Sequence, residues 1–195
     1  TQRFNDGKCD PAGRFWVGTM SLVGGKGSSH LFCYDTDGTI SVKLDGISTS
    51  NGIVWSKDAR YMYYIDTPTR KIMEYAYDIN TGDISEPRVA VLVADSLGYP
   101  DGMTIDAAGN LWVAMWGGSA VCCFDPMSGE LISKIDVPAK NVTSCAFSGS
   151  ELNDLYVTTA RIGTSEEDLE RFPHAGSLFK ISLNTSGLKA SAIKN

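Results

Sequence analysis

Histidine is nearly absent from this sequence: His30 and His174 are the only two in 195 residues. Each stands close to a strand-like run, where a surface or turn position is the plainer reading, and the pattern gives no support to Ser/His/Asp catalysis. Cysteine is present but unpatterned, since Cys9, Cys33, Cys122, Cys123 and Cys145 show no Cys-x-x-Cys spacing. Most fall in apolar runs, where cysteine serves as a small hydrophobe, and this favours a reducing, cytoplasmic setting. Basic residues are few, with 17 Lys and Arg against 23 Asp and Glu and a formal net charge of −6. Without a basic stripe to neutralise phosphates, the chain is not expected to bind nucleic acid. The acidic balance is compatible with a cation site, although most of these acids are expected on the solvated surface. No apolar run approaches the ~20 residues that span a bilayer, so no membrane segment is expected. No signal peptide is visible, but the chain opens at Thr1 rather than Met, so a preceding segment could carry one.

Helical periodicity is scarce too. Only Thr164–Arg171 looks helical, opening on capping residues with acids in its first turn, and it reads as a short insertion between strands. Its acids suit the helix dipole and a solvated face better than a metal site. The rest is β grammar, in a chain with 43% apolar and 21% charged residues and length enough for one core.

What the sequence does contain is one unit written four times. The heads are Asn5-Asp6-Gly7, Ser50-Asn51-Gly52, Pro100-Asp101-Gly102 and Thr143-Ser144-Cys145. Each precedes a short apolar stretch, a polar turn and a second apolar stretch such as Phe15-Trp16-Val17 or Leu111-Trp112-Val113-Ala114. Third strands recur at Leu31–Tyr34, Ile72–Tyr77, Ala120–Phe124 and Ser177–Ile181, and a fourth, outer strand is expected after each turn. Glycine-bearing turns such as Asp10-Pro11-Ala12-Gly13 and Asp106–Asn110 separate them. A repeat of roughly 45–50 residues with four strands per copy predicts an all-β chain of about four β-propeller blades. Equivalent positions of successive blades converge on the central channel. Aligned on their heads, Asp6, Asn51 and Asp101 are equivalent and would meet there. Four blades are the lower limit for a closed propeller, and the chain starts in mid-grammar. The expectation is therefore a single propeller domain over 1–195, the C-terminal part of a longer one.

These residues resemble the SMP-30/gluconolactonase/regucalcin-like family, which includes luciferin-regenerating enzymes. The resemblance is carried by Arg3–Lys8 with Asp10–Arg14 and Gly18-Thr19-Met20, by Ser50-Asn51-Gly52 with Trp55-Ser56, and by Tyr64–Thr67. It continues through Pro100–Met103 with Asp106–Ala114, Thr143-Ser144-Cys145, and the closing Gly176–Lys180. The resemblance implies a six-bladed propeller with one divalent cation in its channel, hydrolysing lactones or related esters. It places the cation on Asn51, Asp101 and a first-blade Glu expected upstream of this chain, and gives Arg3 and Asn5 the substrate. Two departures stand out. The N-terminal third of the family, with that Glu, lies outside these residues, and Ser21-Leu22-Val23 replace the acids that follow Gly-Thr-Met in mammalian members.

The chemistry expected of this set is hard-oxygen coordination of Ca²⁺ first, with Mg²⁺, Mn²⁺ or Zn²⁺ as alternatives. Asp101 doubles as general base, and Arg3, always charged, would steady an oxyanion. Asn-Gly and Asp-Gly are also common hairpin turns, so only their placement at equivalent heads lifts Asn51 and Asp101 above a structural reading. Asp6 and Ser144 stand as further channel residues. Asp66 could brace the channel or be purely structural, and Trp116 could line the pocket mouth or pack between blades. The expected activity is metal-dependent hydrolysis of sugar lactones or similar small cyclic esters. The alternative is a non-catalytic calcium-binding or interaction propeller, because a fold does not fix a function.

Overall fold

The computed structural model describes residues 1–194. Four antiparallel sheets follow one another along the chain. The first holds β1 (Gln2–Cys9), β2 (Phe15–Ser21), β3 (Ser29–Tyr34) and β4 (Ile40–Ile47). The second holds β5 (Ser50–Trp55), β6 (Tyr61–Asp66), β7 (Lys71–Tyr77) and β8 (Ile84–Leu92). The third holds β9 (Tyr99–Ile105), β10 (Leu111–Trp116), β11 (Ala120–Phe124) and β12 (Leu131–Asp136). The fourth holds β13 (Asn141–Ser148), β14 (Asp154–Ala160) and β15 (Leu178–Ser182). Each sheet is a meander in sequence order, and β1, β5, β9 and β13 are the inner strands that pack on one another. This is the expected four-blade propeller arrangement. The expected outer strand is missing from the fourth sheet, which has three strands among the described residues. There the segment after β15 leaves the sheet: Gly187 forms an isolated bridge with Asp106, and the Lys194 amide donates to the Gly13 carbonyl at 3.0 Å.

The apolar cores lie between blades. Trp16, Leu31, Ile53 and Tyr64 join the first sheet to the second. Ile65, Ile72, Met103 and Leu111 join the second to the third, and Trp112, Cys123, Cys145 and Leu155 the third to the fourth. That is why β6 and β10 are almost continuously apolar rather than alternating, being covered on both faces. Each fully buried large side chain contributes about 1.5–3 kcal/mol. The cysteines are all free and, Cys9 apart, buried in this packing, as expected for small hydrophobes.

The first turn of the first and third blades is pinned by a buried aspartate. Asp10 accepts from the Arg14 amide (2.9 Å), the Trp16 indole (3.0 Å) and the Tyr77 hydroxyl (2.7 Å). Asp106 repeats this with the Asn110 amide (2.9 Å) and the Trp112 indole (3.0 Å). The one expected helix is present as α1 (Glu166–Arg171), with Ser165 accepting from the Asp168 amide at 3.2 Å as its cap.

Every inner strand carries a β-bulge. In β1 the pairing jumps from Phe4↔Thr19 to Gly7↔Val17, leaving Asn5 and Asp6 opposite Gly18. In β5, Asn51 and Gly52 face Ile65, and in β9 Asp101 and Gly102 face Ala114. In β13 the extra residue is Thr143. This register corrects the head-to-head alignment by one residue in the first blade and in the fourth, where Thr143 rather than Ser144 takes the shared position. Asn5, not Asp6, is equivalent to Asn51, Asp101 and Thr143, and Asp6 corresponds to Gly52 and Gly102. The shared glycine misled the alignment, because Gly7 lies beyond its bulge while Gly52 and Gly102 lie within theirs. The buried turns agree: Asp10 and Asp106 each stand five residues after the corrected position.

Candidate functional site

A bulge turns a side chain out of the ladder, and here all four turn residues toward one place. A cavity of about 700 Å³ is lined by Arg3, Asn5 and Asp6 of β1, Asn51 of β5, Asp101 of β9, and Thr143 and Ser144 of β13. All four of the expected site residues, Arg3, Asn5, Asn51 and Asp101, are therefore brought together. Residues up to about a hundred positions apart meet because the inner strands lie side by side.

A chain of hydrogen bonds crosses the blades beneath them. Asn5 Nδ2 donates to the Ser50 carbonyl (2.7 Å) and to Asn51 Oδ1 (3.2 Å). Asn51 Nδ2 donates to Thr67 Oγ1 (2.8 Å), which donates to the Pro100 carbonyl (2.8 Å). Asn51 is thus held with its amide oxygen on the Asn5 side. Arg3 is exposed, and its Nη1 donates to the Phe4 carbonyl at 2.8 Å.

The electrostatics single out Asp101. Burial, reinforced by the negative charge of Asp6 and opposed by the Gly102 amide, pushes its carboxyl up to about 7. Burial also raises Asp6, against the pull of Lys8 and the Gly7 amide. Among the described residues no three His, Cys, Asp or Glu side chains group as metal ligands. The donor chemistry nevertheless fits a hard cation. Two enclosed carboxylates that disfavour each other's charge, beside an oriented amide oxygen, are relieved by a divalent ion.

Asp66 does not line the cavity. Its carboxylate accepts the backbone amides of Ser48 (3.2 Å) and Thr49 (2.8 Å), so it braces the loop that presents Thr49. Trp116 lines the cavity wall, the first of its two expected settings, and so does Ser144. Among the described residues His30 pairs with exposed Asp45 at 3.1 Å, and His174 is exposed, both away from the cavity.

Residues 1–161 match the sequence profile described as SMP-30/Gluconolactonase/LRE-like region. The chain belongs to the SMP-30/gluconolactonase/LRE-like family. Within the family it is 48% identical over 185 residues to the Bacillus subtilis protein named "Putative sugar lactone lactonase YvrE", covering 95% of this chain and 63% of that one. Regucalcin of Danio rerio is 41% identical over 181 residues, 92% of this chain and 61% of that protein. Among solved structures, a luciferin-regenerating enzyme superposes with a TM-score of 0.91 at 33% identity, over all of this chain and 66% of that one. The calcium-binding protein regucalcin of Agrobacterium tumefaciens gives 0.92 at 29% identity, over 100% and 65%. The chain thus spans a little under two thirds of the curated relatives it matches.

Sequence reasoning missed several wall residues of this cavity: Met20, Thr49, Thr67, Pro68 and Tyr99. Thr67 had a signal, since Asp66-Thr67-Pro68 directly follows a central strand, but the acid drew attention away from the hydroxyl. Tyr99 had none. Its ring is held by the Arg70 guanidinium, 3.8 Å from the ring centroid, a contact between residues of no shared motif.

Proposed function

We propose that this chain supplies the substrate-orienting and base side of a lactone hydrolase acting on sugar lactones or similar small cyclic esters. The observation that carries this reading is the meeting of Asn5, Asn51 and Asp101, one bulge residue from each of three blades, in one cavity with Asp101 raised to about 7. The family's gluconolactonase members and the lactonase name of the Bacillus relative point the same way. Asn51 Oδ1 and Asp101 would hold a divalent cation, Ca²⁺ before Mg²⁺, Mn²⁺ or Zn²⁺, which when bound polarises the carbonyl and eases ionisation of water. Asp6 is the other carboxylate in the cavity wall, and the resemblance expects a further Glu from outside these residues.

Asp101 takes the proton of the attacking water, a task open to an enclosed carboxylate that stands beside the water it would deprotonate. Arg3, charged throughout, donates to the oxyanion as water adds to the carbonyl carbon. Asn5 orients the ring through its amide. The ring C–O bond then breaks, the proton held by Asp101 passes to the leaving ring oxygen, and a hydroxy acid is released.

A second reading is a cation-binding propeller without catalysis, favoured by the description of the Agrobacterium relative as a calcium-binding protein. One experiment separates the two: lactone hydrolysis by this chain and by an upstream-extended chain, with EDTA or with each of the four cations. Cation-dependent turnover that Asp101→Ala abolishes is the expected result. Turnover indifferent to EDTA and to Asp101→Ala would sink the proposed mechanism. Tight cation binding without turnover in either chain would favour the second reading.

A further inference from the structure

The channel has a second chamber at its other end. The inner strands that line the upper cavity continue into it: Lys8 of β1, Trp55 of β5, Thr104 of β9 and Phe147 of β13 line a cavity of about 360 Å³. Between the two lie Gly7, Ile53, Met103 and Cys145, the last three almost wholly buried. The stretch Leu188–Ser191 runs across the far mouth and completes the wall.

The two chambers carry opposite charge. The upper one holds Asp6 and Asp101 with Arg3. The lower one is lined by Lys8, Lys57 and Lys189 and by no Asp or Glu, in a protein of net charge −6. None of these lysines makes an ion pair among the described residues. For Lys57 and Lys189, which are exposed, water suffices. Lys8 is different. It is mostly buried, and its Nζ donates across the channel to the Met103 carbonyl at 2.8 Å, one acceptor for an ammonium with three donors. Asp6, the acid that acts on it most, is not within ion-pair distance. Buried charges in proteins are normally paired, and this ammonium, on a residue in the wall of an acid-free chamber, has one carbonyl and only the more distant charge of Asp6 to balance it. The remaining wall is apolar, with Val54, Ile105, Ala146, Phe147 and Leu188, relieved by the hydroxyls of Ser56, Thr104 and Ser191.

We infer that the lower chamber is an anion-binding site for a small monocarboxylate with a short apolar tail, its head on Lys8 and its tail against Val54, Ile105 and Phe147. Lys57 and Lys189 guide the anion at the mouth. This site is separate from the catalytic reading and stands without it.

The test is titration calorimetry of this chain with sodium butyrate, sodium acetate and inorganic phosphate, at constant ionic strength and in EDTA. Butyrate is expected to bind saturably, roughly tenfold tighter than acetate because of its two further methylenes, and tighter than phosphate. Lys8→Met should weaken butyrate at least tenfold, as a charged hydrogen-bond partner is lost, and Lys8→Arg should retain most of the affinity. If Lys8→Met fails to fold, the exposed pair Lys57→Ala/Lys189→Ala serves instead, with an expected loss of roughly threefold. Asp101→Asn should leave butyrate binding unchanged. The inference is overturned if butyrate does not bind, if phosphate binds as tightly, if neither lysine variant weakens binding, or if Asp101→Asn abolishes it. The last result would put the anion in the upper cavity, whereas failure of lactone hydrolysis alone would leave this site standing.

Discussion

Asn5 Nδ2 and Asn51 Oδ1 lie 3.2 Å apart across the boundary between the first and second sheets. This bond joins a residue assigned to substrate with one assigned to the cation. It continues through Thr67 to the carbonyl of Pro100, the residue before Asp101. Three blades therefore share one polar relay, and the weakest place to cut it without unfolding the sheet is Thr67.

Thr67→Val removes the hydroxyl that accepts from Asn51 and donates to Pro100 while nearly conserving shape. Supporting partners of metal ligands are worth about 10–100-fold in affinity. Calcium affinity measured by calorimetry is expected to fall by at least tenfold, with little change in melting temperature. Unchanged affinity would mean that Asn51 needs no help to hold its orientation.

The raised carboxyl of Asp101 ties stability to pH. Its proton affinity is higher folded than unfolded, so its contribution is fully present below the ordinary aspartate value of 3.8 and is lost as pH rises through about 7. In EDTA, the melting temperature should therefore decline across that window from this group, and Asp101→Asn should flatten the decline. Saturating Ca²⁺ should restore stability at pH 7–8. A wild-type profile identical to that of Asp101→Asn would show that Asp101 titrates as an ordinary surface acid.

Asp106 is 1% exposed and accepts the Ala108 and Asn110 amides and the Trp112 indole. Asp106→Ala leaves those buried donors without an acceptor, at a cost of about 3–5 kcal/mol. Urea unfolding should show it as a lower midpoint. Asp106→Asn, which keeps the shape and one acceptor oxygen, should lose less. Equal losses would assign the effect to shape rather than to the hydrogen bonds.

Gly52 has an ordinary backbone but no room for a side chain. A Cβ there would stand 2.6 Å from Met103 Cβ and 2.8 Å from the Asp101 carbonyl oxygen. Gly52→Ala must push β9 away from β5, costing about 1–3 kcal/mol. Because the displaced strand carries Asp101, cation affinity should drop as well. Loss of stability with full cation affinity would show that the shift is absorbed on the Met103 side.

Much of the fold was legible because its signals are local. Apolar runs, turn glycines and the recurrence of Trp16 and Trp112 after Asp10 and Asp106 specify strands and hairpins one blade at a time. The helix at Glu166–Arg171 was announced by its cap and acids. What escaped was register. A bulge adds a residue without a letter of its own, so Gly7 could pass for the counterpart of Gly52 until pairing showed otherwise. The missing fourth strand after β15 depends on where distant segments lie, which no local pattern encodes. In the site, Asn5, Asn51 and Asp101 stood out through the repeat and the family likeness. Thr67 and Tyr99 did not, because their importance lies in contacts across blades. The basic lower chamber was invisible for the same reason, as Lys8, Lys57 and Lys189 share no motif.

The bulges also separate what the protein is made of from what it handles. A residue at such a step stands outside the pairing of its own sheet, and the ladder resumes past it whether it is Asn5, Asn51, Asp101 or Thr143. These positions behave as interchangeable sockets on a fixed frame. Exchanging an amide, a carboxylate or a hydroxyl among them would recast the ligand field while the blades stayed as they are, so new chemistry could arise here by single substitutions with little change in folding.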